Sequence, residues 1–192
     1  MSLEFWATLA SVGTFVVIAA TAIAALIQLR HMRGTNQIAT MARFETMEAE
    51  PEVRDSTRFI LLELTDRMKD PGFRKLFEKG ALQGEARRIL PAAQLYEQMG
   101  NYVHHGFIDA DFVLDQYAGT IIGLWDRMTP AMPYIRAAQG EEVFIWFEYL
   151  TVLAQRYTVS GRGLNYPANM PRLPLDVTYF ERDRPTLSAD AD

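Results

Sequence analysis

The chain has 192 residues, 49% of them hydrophobic, with 19 Lys and Arg against 24 Asp and Glu and no cysteine. That supports one domain with a real core plus an appendage. The absence of cysteine excludes disulfides, thiol catalysis and cysteine-ligated metals. A net charge of −5 without a dense basic patch argues against a nucleic-acid partner, because phosphate neutralisation needs clustered Lys and Arg.

Phe5 to Leu29 contains no charged residue, and as a helix this run is roughly 37 Å long, enough to cross a hydrocarbon core about 30 Å thick. A secretory signal peptide is the competing reading, with Ala20-Thr21-Ala22 and Ala22-Ile23-Ala24 as candidate cleavage sites. Glu4 without a basic neighbour, and an apolar run longer than such peptides carry, favour an uncleaved anchor instead. Arg30, His31, Arg33 and Arg43 follow the run and no basic residue precedes it. The amino end is therefore expected outside and the remainder in the cytoplasm. Phe5 and Trp6 suit an interfacial belt. Ala7, Ser11, Thr14, Thr21 and Ala25 place small residues along one helix face, to meet either another membrane helix or lipid.

Beyond the anchor, Gly34 loosens the helix, and Ile38, Met41, Phe44 and Met47 restore its rhythm as a stalk. After Pro51, the residues Val53, Thr57, Ile60, Leu61, Leu64 and Met68 predict an amphipathic helix, ended by Asp70-Pro71-Gly72. A shorter helix carries Phe73, Leu76 and Phe77. From Glu85 to His105, Ile89, Ala93, Tyr96, Met99 and Val103 are again helical, with Pro91 kinking the helix or standing in its first turn. Gly106 stops it, and Asp109 caps the next helix, with Ile108 and Val113 as a hydrophobic staple. That helix turns Val113, Tyr117, Ile121, Leu124 and Met128 inward, and Thr129-Pro130 leads to a short piece with Tyr134, Ile135 and Arg136. Glu141 to Tyr157 is apolar nearly all round, as a central bundle helix should be. Past it, Pro167, Pro171, Pro174 and Pro185 forbid a continuous helix, while Leu173, Leu175, Val177 and Tyr179 alternate as an extended segment does. This candidate partner-binding tail lies either on its own bundle or on another protein.

The expected fold is all-α: one N-terminal transmembrane helix, a cytoplasmic helical bundle of about five helices and an extended C-terminal tail. The expected segments are 1–33, anchor and basic flank; 34–50, juxtamembrane helical stalk; 51–158, bundle domain; and 159–192, Pro-rich tail.

The stretch from Ala92 to Leu150 resembles a family of uncharacterised bacterial membrane-anchored proteins. It is carried by Tyr96-Glu97 and Gly100 on one helix, the turn Gly106-Phe107-Ile108-Asp109, Trp125 at a helix end, Arg136, and Glu148 on a late helix. The resemblance runs from about Phe5 to Tyr157 and leaves the tail outside. It implies an amino-terminal span before a helical cytoplasmic domain of unknown function, hence a single-pass protein of the inner (plasma) membrane, and it implies no reaction.

His104 and His105 beside Asp109 and Asp111 raise the question of a metal or proton-transfer site. Neighbouring helical positions point about 100° apart, so both histidines cannot face one ion without unwinding, and both aspartates suit a helix's first turn. The chain lacks the Glu-x-x-His pair of di-metal bundles, a nucleophile elbow and a phosphate loop. No catalytic residue, cofactor or metal is assigned. Glu97 and Glu148 sit on strongly apolar helices, with Arg127 and Arg136 as candidate partners in a buried polar cluster, because a buried carboxylate needs a partner or a proton. Trp125 and Trp146 suit its walls. The cluster is either a tie fixing helix register or a ligand pocket. The expected role is accordingly that of a noncatalytic accessory, scaffold or regulatory subunit contacting the lipid bilayer and other proteins, or a second copy of itself. The alternative is a small-molecule sensor or enzyme with a polar pocket around Glu97, Arg136 and Glu148.

Overall fold

A computed structural model describes residues 3–77, 81–161, 169–174 and 176–177. The described residues are mainly helical and contain no strand. The α-helices are α1 (Leu3–Ala49), α2 (Pro51–Leu62), α3 (Leu64–Arg67), α4 (Pro71–Arg74), α5 (Leu90–His104), α6 (Ala110–Met128), α7 (Met132–Gln139) and α8 (Ile145–Val159), with 3-10 turns at Lys75–Phe77 and Gly84–Ile89.

The apolar run and the stretch expected as a stalk form one helix. α1 passes Gly34 without a break, since one glycine removes only about 1 kcal/mol from a helix that long. Its stretch from Ala10 onward is long and apolar enough to cross a membrane, and among the described residues none of the most apolar window is buried. Only its last turns join the bundle, through Met41 and Phe44, each 3% exposed.

Among the described residues, seven α-helices follow α1, more than the five or so expected, because the predicted helix from Val53 to Met68 divides at Glu63 and α4 is a single short turn. Pro91 stands in the first turn of α5 rather than kinking it. Asp109 caps α6 as expected, its carboxylate accepting from the Phe112 N–H at 3.2 Å. At Gly106 the backbone turns left-handed, φ 70°, and the Phe107 N–H donates back to the Tyr102 carbonyl at 2.9 Å. One expected helix starts late: residues 141–144 form turns and α8 begins at Ile145, after Phe144 has taken a left-handed φ of 59°. Phe144 is nevertheless buried, and packing holds it in a conformation that a bulky side chain otherwise avoids.

The core gathers α5, α6 and α8 around Phe147, Leu150, Ile121, Leu124 and Met99, each 1% exposed or less. Burying each such side chain contributes roughly 1.5–3 kcal/mol. α2 closes the layer, and its Ser56, 1% exposed, links two elements at once. The hydroxyl accepts from the Ala92 N–H at 3.0 Å and donates to the Ile89 carbonyl at 3.3 Å. The first turn of α5, which has no side-chain cap of its own, is thus satisfied by a serine from another helix.

α5 and α8 meet backbone to backbone at Gly100. A Cβ there would overlap the Trp146 carbonyl oxygen, lie 2.6 Å from the Trp146 carbonyl carbon and press on the Leu150 Cβ at 3.2 Å. Gly119, exposed within α6, has nothing within 4 Å of such a Cβ. Gly100→Ala should therefore destabilise the bundle by about 3 kcal/mol, while Gly119→Ala should stabilise it by roughly 0.5–1 kcal/mol through helix propensity. Denaturant unfolding of the two variants checks both signs.

Candidate functional site

The close approach at Gly100 determines what stands at the start of α8. One turn earlier on α5, the Glu97 carboxylate accepts from the Phe147 N–H at 2.7 Å, with the Trp146 N–H also acting on it. Four N–H groups open every α-helix without an internal partner, and α8 lacks a local side-chain cap. Glu97 supplies one from another helix, and its negative charge suits the positive end of the helix dipole.

Around this cap the rings interlock. Tyr96 stacks on Phe147 with centroids 5.4 Å apart, and Trp125 meets Phe147 edge-on at 5.2 Å. Arg136 of α7 bridges to Glu148 and also donates from Nε to the Val143 carbonyl at 3.4 Å, fastening the turn before α8. The Glu148 side chain remains 45% exposed, so this ion pair is half-solvated and worth at most about 1 kcal/mol. Glu97, Arg136 and Glu148 thus meet at the start of α8. Arg127 lies elsewhere, exposed on α6; its charge is felt at Asp66, whose carboxyl is held below its usual range first by Lys69.

Burial pushes the Glu97 carboxyl above its ordinary range, against the pull of the Phe147 and Trp146 N–H groups and of Arg136. Four surface grooves of the bundle are defined, and none of these four is lined by Glu97, Arg136 or Glu148.

A second polar contact joins the stalk to this cluster. The Tyr96 hydroxyl donates to Glu48 of α1 at 3.5 Å, and Tyr117 of α6 faces the same carboxylate. Burial, reinforced by Glu48, pushes the Tyr117 hydroxyl up to about 12 and the Tyr96 hydroxyl higher still, so both remain protonated donors at neutral pH. Glu48 was not singled out in the sequence, although Met41, Phe44 and Glu48 share one face at spacings of three and four. Ser56 left no comparable sign, because its partners Ile89 and Ala92 lie 33 and 36 positions away.

His104 and His105 are exposed at the end of α5 and pack as aromatic rings: His104 lies 4.2 Å from Trp146, and His105 lies 6.0 Å from Phe107. Asp109 is occupied as a cap. Among the described residues, no group of three His, Asp or Glu side chains is arranged to hold a metal ion. In the tail, Leu173 is 84% exposed and Val177 45%; Leu175 and Tyr179 lie outside the described residues.

The chain matches the family described as "Domain of unknown function (DUF4760)" over residues 15–156, most of its length, and belongs to it. No curated protein and no solved structure matches. The matched range runs from within the apolar part of α1 to the last turns of α8.

Because the folded state raises the Glu97 pKa, it holds that proton to a higher pH than the unfolded chain does. The contribution of Glu97 to stability is then full below about pH 4.5 and declines as pH rises through the folded pKa. Unfolding midpoints measured from pH 4 to 8 should show Glu97→Gln gaining on the parent as pH rises. Glu97→Ala, which leaves the Phe147 N–H uncapped, should lose about 1 kcal/mol near pH 4, with the loss shrinking as pH rises.

Proposed function

Starting from a chain that belongs to the DUF4760 family, we propose a single-pass protein of the bacterial inner (plasma) membrane. Its amino end is outside and its helical bundle cytoplasmic, working as a noncatalytic accessory, scaffold or regulatory subunit through contacts with other proteins. The observation that carries this reading is the continuity of α1. An apolar stretch of helix that the described fold leaves unburied runs without a break into one that the bundle grips through Met41, Phe44 and Glu48. The uncharged run needs an apolar surrounding that the fold does not provide, and a bilayer provides it. The basic residues that follow it favour a cytoplasmic bundle in this reading.

The polar groups at the start of α8 belong to this reading as structural ties. Glu97 is engaged with a helix terminus and Arg136 with Glu148 and a backbone carbonyl. Groups engaged with one another within the fold hold helices in register. The exposed Leu173 and Val177 give the tail an apolar edge for a partner.

The absence of cysteine makes topology directly measurable. In intact cells, Ser2→Cys should react with a membrane-impermeant maleimide, and Val159→Cys only after lysis. Labelling of Val159→Cys in intact cells would reverse the orientation, and release of the parent chain by alkaline carbonate would remove the anchor. Removal of residues 164–192 should reduce crosslinking to partner proteins while leaving the bundle's melting temperature unchanged.

A further inference from the structure

The groove between the end of α1 and α2 has a volume of about 600 Å³. Its floor is apolar, from Ala49, Leu61 and Leu62, the last 69% exposed. Its walls carry opposite charges: Glu45 and Glu48 on α1 face Arg54 and Arg58 on α2. Glu48 is engaged by Tyr96, but Glu45, Arg54 and Arg58 have no ion-pair partner among the described residues. An apolar floor between an unpaired acid and two unpaired bases fits an occupant that presents the same charges in the opposite sense.

We propose that this occupant is the end of α1 from a second copy of the chain, in a parallel two-fold pair. A two-fold axis beside α1 brings the partner's acidic wall toward Arg54 and Arg58, and this chain's Glu45 toward the equivalent pair on the partner. The proposal rests on the reading of α1 as a membrane anchor, since the bilayer is what aligns the two copies in parallel.

The groove also continues a seam along α1. Counting up the helix from Ala49 in alternating steps of four and three gives Glu45, Ala42, Ile38, Thr35 and His31, all exposed. In the same register the apolar part carries Ala24, Thr21, Val17 and Thr14, also exposed. A repeat of 3.5 residues is that of a left-handed pair of helices, and small residues let two backbones approach within a bilayer. The threonine hydroxyls do not oppose this. Thr14, Thr21 and Thr35 donate to the carbonyls of Ala10, Val17 and His31 at 2.9, 2.8 and 3.0 Å, so no hydroxyl enters the seam unsatisfied. The bundle does not obstruct the pairing, because Met41, Phe44 and Glu48 occupy a face about a quarter turn away.

Single cysteines in the full chain, oxidised in its own membranes, test the pairing. Thr21→Cys, Ile38→Cys and Ala42→Cys should form disulfide-linked dimers of twice the chain mass, and Leu26→Cys and Arg43→Cys should not. Reversing the basic wall with Arg54→Glu and Arg58→Glu should lower the Ala42→Cys dimer yield about fivefold, the scale of an exposed charge pair, and adding Glu45→Arg should restore it. Equal crosslinking on and off the seam, adducts only to proteins of another mass, or indifference to the charge reversal would each overturn the pair while leaving the anchor standing. Release of the chain from membranes by alkaline carbonate would overturn both readings.

Discussion

The contact on which the bundle depends is the one at Gly100, where the backbones of α5 and α8 touch because no side chain intervenes. That proximity brings Glu97, one turn away, within 2.7 Å of the Phe147 N–H. A larger residue at position 100 would push α8 outward, and the carboxylate would lose the helix end it caps. The aromatic packing follows the same geometry, since Tyr96 and Trp125 both rest on Phe147, the residue whose N–H is capped. Close packing, capping and ring stacking are therefore three results of one missing Cβ.

Two helices of the bundle start on side chains borrowed from elsewhere. α5 begins on Ser56 of α2, and α8 begins on Glu97 of α5. Neither helix has a side-chain cap of its own, so each is completed only when its neighbour is in place. α6, in contrast, is capped locally by Asp109. Glu48 extends the dependence to the stalk, through the hydroxyl of the ring that stacks on Phe147. The end of α1 and the start of α8 are thus linked through one side chain, Tyr96.

These two kinds of cap account for what the sequence disclosed. Asp109 could be read directly, because its partner is three residues away and the pattern of a capped helix after Gly106 is local. The apolar periodicities of α2, α5 and α6 were legible for the same reason. Glu97 and Glu148 stood out as charges on apolar helices, and Arg136, read as a candidate partner, does pair with Glu148, but the partner of Glu97 was not legible. The Glu97 acceptor role depends on a backbone N–H 50 positions away, and Arg127, plausible by residue type, lies exposed on another face. The helix expected from Glu141 begins only at Ile145, because Val143 and Phe144 continue the apolar character without continuing the helix. Phe144 takes a left-handed turn that tertiary packing imposes and composition does not announce. The division of α2 from α3 at Glu63 was hidden similarly, since Leu64 and Met68 keep the periodicity across the break.

α1 shows how one helix can meet three sets of demands. Its run to Leu29 is uncharged on every side and long enough to cross a membrane. Lower down, Met41, Phe44 and Glu48 turn toward the bundle, two by burial and one by hydrogen bonding. Ile38, Ala42, Glu45 and Ala49 stay exposed on the neighbouring face. Because the helix is unbroken at Gly34, its orientation above that point fixes the direction in which both lower faces point. A flexible joint there would let the bundle turn independently of the apolar run. Helical continuity instead makes the faces of the apolar run and the face beside the α1–α2 groove parts of one rigid body, so the register of one fixes that of the other.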